Sequence, residues 1–166
     1  VHSIINGNSS GNPSLTLSGQ ETKEMAIEAE RVMLVCDPGM VQFGYADLVK
    51  RQLELNRHRP AVDVFSDVEP NPSTNTVYKG LERFVDFQPD VIIALGGGSA
   101  MDAGKIMWVM YEHPEANFED MAMDFMDIRK RIYTFPTMGQ KAYFVAIPTS
   151  SGTGSEVTPF AIITDA

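Results

Sequence analysis

The chain has 166 residues, 43% of them hydrophobic and 21% charged, the make-up of one ordinary globular domain and not of a disordered chain. Its 13 Lys and Arg stand against 22 Asp and Glu, a net charge of −9, which argues against binding a nucleic-acid backbone. No apolar run approaches the roughly 18 residues of a membrane span, and the single cysteine, Cys36, excludes an intrachain disulfide and a cysteine-based zinc site.

Residues 1–28 are rich in Asn, Ser and Gly and read as a polar arm or a short hairpin, with Ser14 to Ser18 as its candidate strand. They lack a charged n-region followed by an apolar h-region, so no signal peptide is expected; with the single cysteine this suits a reducing interior, either the cytoplasm or a eukaryotic organelle. From residue 29 onward the pattern is regular. Val32 to Cys36 is an apolar run of strand length, stopped by Asp37-Pro38-Gly39. Val41 to Asn56 carries apolar residues near helical period. Ala61 to Phe65 is a second strand candidate and Thr74 to Phe87 a second helix. Val91 to Leu95 is a third strand, followed at once by Gly96-Gly97-Gly98-Ser99 and a helix from Ala100 to Tyr111. Tyr143 to Ile147 and Phe160 to Thr164 are further strand candidates.

Strands alternating with helices predict an α/β fold: an open, Rossmann-like parallel sheet with helices on both faces. The strands are apolar throughout, as expected of a sheet buried on both sides. Glu112 to Pro136 breaks the rhythm with acidic residues, interleaved Met and Phe, and the triplet Arg129-Lys130-Arg131. It reads either as a short helix with a solvated acidic face or as an interaction surface.

The strongest chemical signal is Gly96-Gly97-Gly98-Ser99 between a strand and a helix. Glycines let the backbone approach a ligand closely, and the helix presents free N–H groups and a positive dipole end, a combination suited to a pyrophosphate. Ser99 is expected to cap that helix and to donate to a phosphate oxygen. The spacing is neither GxGxxG nor GxxxxGK[ST]. Asp37 ends the first strand, where open sheets bind ligands; it is either a turn residue or an acceptor for the hydroxyls of an adenosine ribose, in which case it disfavours a 2′-phosphate. Asn71, held between Pro70 and Pro72, is a turn residue or a ligand contact at the same edge.

Thr149-Ser150-Ser151-Gly152-Thr153-Gly154-Ser155 offers hydroxyls and N–H groups after the fourth strand, but it is not a GxSxG elbow. Asp102 and Lys105 share a helix face. Asp102 either answers the helix dipole or points at a nicotinamide or substrate, and Lys105 points toward a phosphate or a carboxylate. His2, His58 and His113 have no metal-ligand spacing and read as solvated residues.

The segment from Gly96 to Lys105 resembles the GGGSxxDxAK segment of the iron-containing alcohol dehydrogenase family. Asp37-Pro38-Gly39, the run from Phe65 to Pro72 and the run from Pro148 to Thr158 match that family in order and spacing. Lys105 to Ala116 and Phe125 to Pro136 are similar to the alcohol dehydrogenase half of bifunctional aldehyde-alcohol dehydrogenases. The resemblance runs from Glu30 to Ala166; residues 1–28 do not look like the family's usual entrance strand.

The resemblance implies that residues 29–166 are an NAD-binding domain, with the family's all-helical metal domain absent from this chain. By the same resemblance Asp37 meets the adenosine ribose and Asn71 approaches the cofactor. Gly96, Gly97, Gly98 and Ser99 hold the pyrophosphate. Thr149, Ser150, Gly152 and Thr153 line the adenine and phosphate side, and Ile162 touches the cofactor from its strand. Asp102 is the candidate catalytic residue.

The family's Fe²⁺ (or Zn²⁺) is held by one Asp and three His in sequence beyond Ala166. The chain alone is therefore expected to bind NAD and not to turn over. In the whole enzyme, NADH reduces an aldehyde such as acetaldehyde to a primary alcohol, with the metal as Lewis acid. Gly104 stands where the family has Ala, which predicts a slight loss of stability. Two other readings are a polyol dehydrogenase of the same superfold and a filament-assembly module, since bifunctional relatives polymerise. The expected partners are an alcohol or aldehyde substrate and further copies of the enzyme in a homo-oligomer.

Overall fold

The structure is a computed structural model and describes residues 3–4, 29–55, 57–116, 118, 121, 137–158 and 160–165. The candidate strand at Ser14 to Ser18 and the basic triplet lie outside the described residues. In chain order the elements are β1 (Ser3–Ile4), β2 (Arg31–Cys36), α1 (Pro38–Gln42), α2 (Tyr45–Glu54), β3 (Ala61–Phe65), α3 (Thr74–Phe87), β4 (Val91–Gly96), α4 (Gly98–Glu112) and β5 (Tyr143–Pro148).

The strands form one sheet in the order β1-β5-β4-β2-β3. β3, β2, β4 and β5 are mutually parallel, while β1 runs antiparallel to β5. Side chains alternate between two cores. Met33, Val35, Ile92, Ala94 and Phe144 pack with Val77 and Phe84 of α3 and Met101 and Met107 of α4. Val32, Leu34, Cys36, Ile93 and Leu95 pack with Ala46 and Leu53 of α2. Helices thus cover both faces, as the apolar strands required. Trp108 stacks on Phe144 at 5.4 Å and donates its Nε1–H to the Ala142 carbonyl at 2.8 Å, so the indole is both buried and satisfied. Among the described residues no helix is long and apolar enough to cross a membrane.

Three expectations are corrected. Val41 to Asn56 is not one helix: Gly44 adopts a left-handed φ of +78° and breaks it into α1 and α2. Phe43, Leu48 and Leu55, which supplied much of the apolar period, are exposed. Phe160 to Thr164 is not a strand. Only Thr164 makes a bridge, to Ser73, and the Ile162 N–H goes to a side chain instead. His113 is not simply solvated: its two ring nitrogens face Glu115 Oε1 and the Thr137 carbonyl, each at 3.0 Å.

Gly104 lies at a close helix–sheet contact. A Cβ there would sit 3.1 Å from Phe144 Cε2 and 3.2 Å from Ala94 Cβ, so the glycine lets α4 lie close on β4 and β5. That close packing stands against the helix-propensity cost of a glycine.

Candidate functional site

The strand order reverses between β2 and β4. From β2 the chain moves outward to β3, while β4 and β5 lie on the other side. A crevice forms where strand order reverses, outside the carboxyl ends of the strands, and ligands of open α/β sheets bind there. Asp37 follows β2 and Gly96 ends β4, so both stand at that point.

Asp37 is the N-cap of α1, with Oδ1 accepting the Met40 N–H at 3.2 Å. Its Oδ2 lies 3.2 Å from where a Cβ on Gly96 would be. Gly96 has φ +146°, a conformation L side chains rarely adopt, and Ala100 Cβ is 3.0 Å from the same point. The N-cap of α4 is Gly97, and no side chain caps it. Ser99 therefore does not cap the helix. It lies in the first turn, and its Oγ accepts the Asn71 N–H at 3.3 Å.

The Thr149 to Ser155 loop lies over the glycine turn. The Thr149 N–H donates to the Gly96 carbonyl at 2.8 Å. Ser150 Oγ is 3.2 Å from the Cβ position of Gly97, and Ser155 Oγ is 3.2 Å from that of Gly98. Thr153 Cβ is 3.7 Å from the latter point, and Gly152 turns the loop at φ +92° with open space around it. Asn71 adopts φ +55°, and its carbonyl accepts from Thr164 Oγ1 at 3.4 Å. Asp37, Asn71, Gly96 to Ser99 and the Thr149 to Thr153 loop are thus brought to one end of the sheet.

Asp102 and Lys105 are buried in α4, 8% and 5% exposed. Lys105 Nζ is 2.9 Å from Asp102 Oδ1, an ion pair in which that oxygen takes no hydrogen bond. Asp102 Oδ2 accepts the Ile162 N–H at 3.0 Å. Lys105 Nζ also donates to the carbonyls of Ser155 at 3.1 Å, Thr158 at 3.4 Å and Phe160. Its three donors meet three carbonyls, so none is left for the phosphate that the sequence suggested. Ile162 itself is 76% exposed.

The sequence reading missed two carboxylates. Glu69 accepts from the Ser73 N–H at 2.9 Å, from Ser73 Oγ at 2.8 Å and from Thr76 Oγ1 at 2.6 Å, which fixes the Asn71 loop against the start of α3. Burial opposes its ionisation, but the hydroxyls and N–H groups outweigh that and hold the carboxyl at about 2. The signal was present as two hydroxyl residues four and seven positions downstream. Glu112, counted with the acidic segment, is 7% exposed and accepts the N–H groups of Gln140, Lys141 and Ala142 at 3.0–3.1 Å. Burial, and then the charge of Asp37, push the Cys36 thiol up to about 12, so it is no nucleophile. Among the described residues no three His, Cys, Asp or Glu gather to hold a metal.

The profile of the iron-containing alcohol dehydrogenase family matches residues 9–166. The chain belongs to that family. An aldehyde-alcohol dehydrogenase of Streptococcus pneumoniae is 55% identical over 138 residues, covering 83% of this chain and 16% of that protein. An NADPH-dependent butanol dehydrogenase of Clostridium saccharobutylicum is 44% identical over 140 residues, covering 84% of this chain and 34% of its own length. Among solved structures, sulfoacetaldehyde reductase from Bifidobacterium kashiwanohense in complex with NAD+ aligns with a TM-score of 0.66 and 26% identity, over 90% of this chain and 37% of that one. The chain therefore spans about a sixth to a little over a third of these relatives. The family match reaches back to residue 9, well into the stretch read as a polar arm.

Proposed function

We propose that this chain is the NAD-binding part of an iron-dependent alcohol dehydrogenase, one that reduces an aldehyde such as acetaldehyde to a primary alcohol within a bifunctional aldehyde-alcohol dehydrogenase. The observation that carries the reading is the uncapped N-terminus of α4, opened by Gly96, Gly97 and Gly98 at the reversal of strand order. Its free N–H groups and dipole suit a pyrophosphate.

Asp37, one strand over, accepts the ribose hydroxyls and repels a 2′-phosphate. Ser150, Thr153 and Ser155 close the phosphate side with hydroxyls. When bound, the reduced nicotinamide supplies the hydride that the aldehyde carbon receives. This chain's own residues bind and orient the dinucleotide, and Asp102 acts through the backbone it holds. The described residues do not gather a donor set for iron. The chain alone binds dinucleotide without turnover. The whole enzyme is a homo-oligomer, which sedimentation of the full-length protein checks.

Titration of the 166-residue chain with NADH and with NADPH, followed by nicotinamide fluorescence, tests the reading. Saturable NADH binding with NADPH weaker by about tenfold or more is expected from one lost favourable charge contact. Equal affinities would remove the role of Asp37, and no binding of either by a folded chain would contradict the proposal.

A further inference from the structure

We infer that Lys105 is a positioning residue for the cofactor site, fastening the 155–162 segment so that the loop before it stays seated over the glycine turn. The inference rests on the dinucleotide-binding reading of that turn. None of the described residues of segment 155–162 belongs to the sheet; the Val157 N–H donates to the Gly154 carbonyl at 3.0 Å, and two residues beyond the segment Thr164 bridges Ser73. Its backbone groups are met by side chains from α4 instead. The Lys105 ammonium takes the carbonyls of Ser155, Thr158 and Phe160, and the Asp102 carboxylate takes the Ile162 N–H. Two charges at i and i+3 thus hold four residues of this stretch.

Ser155 joins this anchor to the site. Its carbonyl accepts from Lys105 Nζ at 3.1 Å, and its Oγ is 3.2 Å from where a Cβ on Gly98 would be. Thr153 is tied to Ser155 through the Ser155 N–H, at 3.4 Å. A shift of Ser155 therefore moves the Ser155 hydroxyl and the Thr153 side chain that overlie Gly98. A buried ammonium with every donor engaged is costly to remove and slow to rearrange, which suits a fixed anchor. The neighbours of Lys105 in α4 are apolar (Met101, Ala103, Met107 and Trp108 are all buried), so packing alone does not call for charge here.

The test replaces Lys105 with Met, which keeps length and removes the donors. Hydrogen exchange is read by segment and NADH affinity by fluorescence, both on the 166-residue chain. The expected result is exchange about tenfold faster across 155–162, with β2 and β4 unchanged. NADH binding weakens by about five- to tenfold, and Lys105→Gln recovers part of both. Where Lys105→Met fails to fold, D102N/K105M leaves no unpaired buried charge and carries the same test. Unchanged exchange across 155–162 in a folded variant would overturn the inference. So would loosened exchange with NADH affinity intact. If the unmodified chain binds no NADH, the functional reading fails by itself, and the exchange result alone decides whether Lys105 anchors the segment.

Discussion

The Asp37 carboxylate and the Gly96 backbone share one small space: Oδ2 lies 3.2 Å from the point a Cβ on Gly96 would occupy. The first residue after β2 and the last residue of β4 are thereby brought together across the sheet's reversal point. On the proposed reading, a ribose on the carboxylate and a pyrophosphate on the glycine turn are consecutive parts of one ligand, and this contact would set the register in which a dinucleotide lies.

Asp37→Ser removes the acceptor and the repulsion together. A hydrogen bond to a charged group contributes about 1.5–3 kcal/mol, so NADH affinity falls roughly 10- to 100-fold while NADPH affinity holds or rises. The ratio of the two dissociation constants is the measurement. An unchanged ratio would place the ribose elsewhere.

Gly96→Ala meets two obstacles. Its φ of +146° disfavours any Cβ, and Ala100 Cβ stands 3.0 Å from the site. The expected loss is about 1–3 kcal/mol in urea unfolding. Gly98→Val differs: its backbone is ordinary, so stability holds, but the side chain meets Ser155 Oγ, 3.2 Å from its Cβ, and NADH binding is lost.

Gly104→Ala tests how tightly α4 lies on the sheet. Helix propensity alone favours the change by up to about 1 kcal/mol. Phe144 and Ala94, 3.1 and 3.2 Å from the new Cβ, must give way. The expected result is no gain, or a loss of about 1–2 kcal/mol. A full 1 kcal/mol gain would show that the packing is slack.

Glu69 links stability to pH. Its carboxyl is held at about 2 against an ordinary 4.5. A lowered folded value means that its contribution is present above pH 4.5 and is lost as pH falls toward 2. Glu69→Gln is expected to lower the urea midpoint at neutral pH and to flatten its fall across that window. His113 acts in the opposite sense. Burial opposes its charge, but Thr137 and Glu115 outweigh that and raise its value. Its contribution is therefore full at low pH and lost as pH rises through the raised value.

The four parallel strands were legible because each is an apolar run bounded by turn residues, and β2 and β4 are buried on both faces. β1 was not, because two residues carry no period. The single helix read from Val41 to Asn56 failed because period does not say which apolar residues are buried; Phe43 is 71% exposed. Phe160 to Thr164 has strand composition but no neighbouring strand, and its backbone is met by Asp102 and Lys105. At the site, the glycine turn, Asp37 and the Ser150 loop were readable from position alone. The engagement of Lys105 by backbone was not, since the carbonyls it meets lie at least 50 residues away.

The central claim is that the first-turn N–H groups of α4 bind a pyrophosphate. The direct measurement is an amide NMR titration of the ¹⁵N-labelled chain with NAD+. The account expects the largest shifts at Gly97, Gly98, Ser99 and Ala100, with smaller ones at Asp37 and at Ser150 to Ser155. Saturation with shifts confined to another surface, or no shifts in a folded chain, would contradict it.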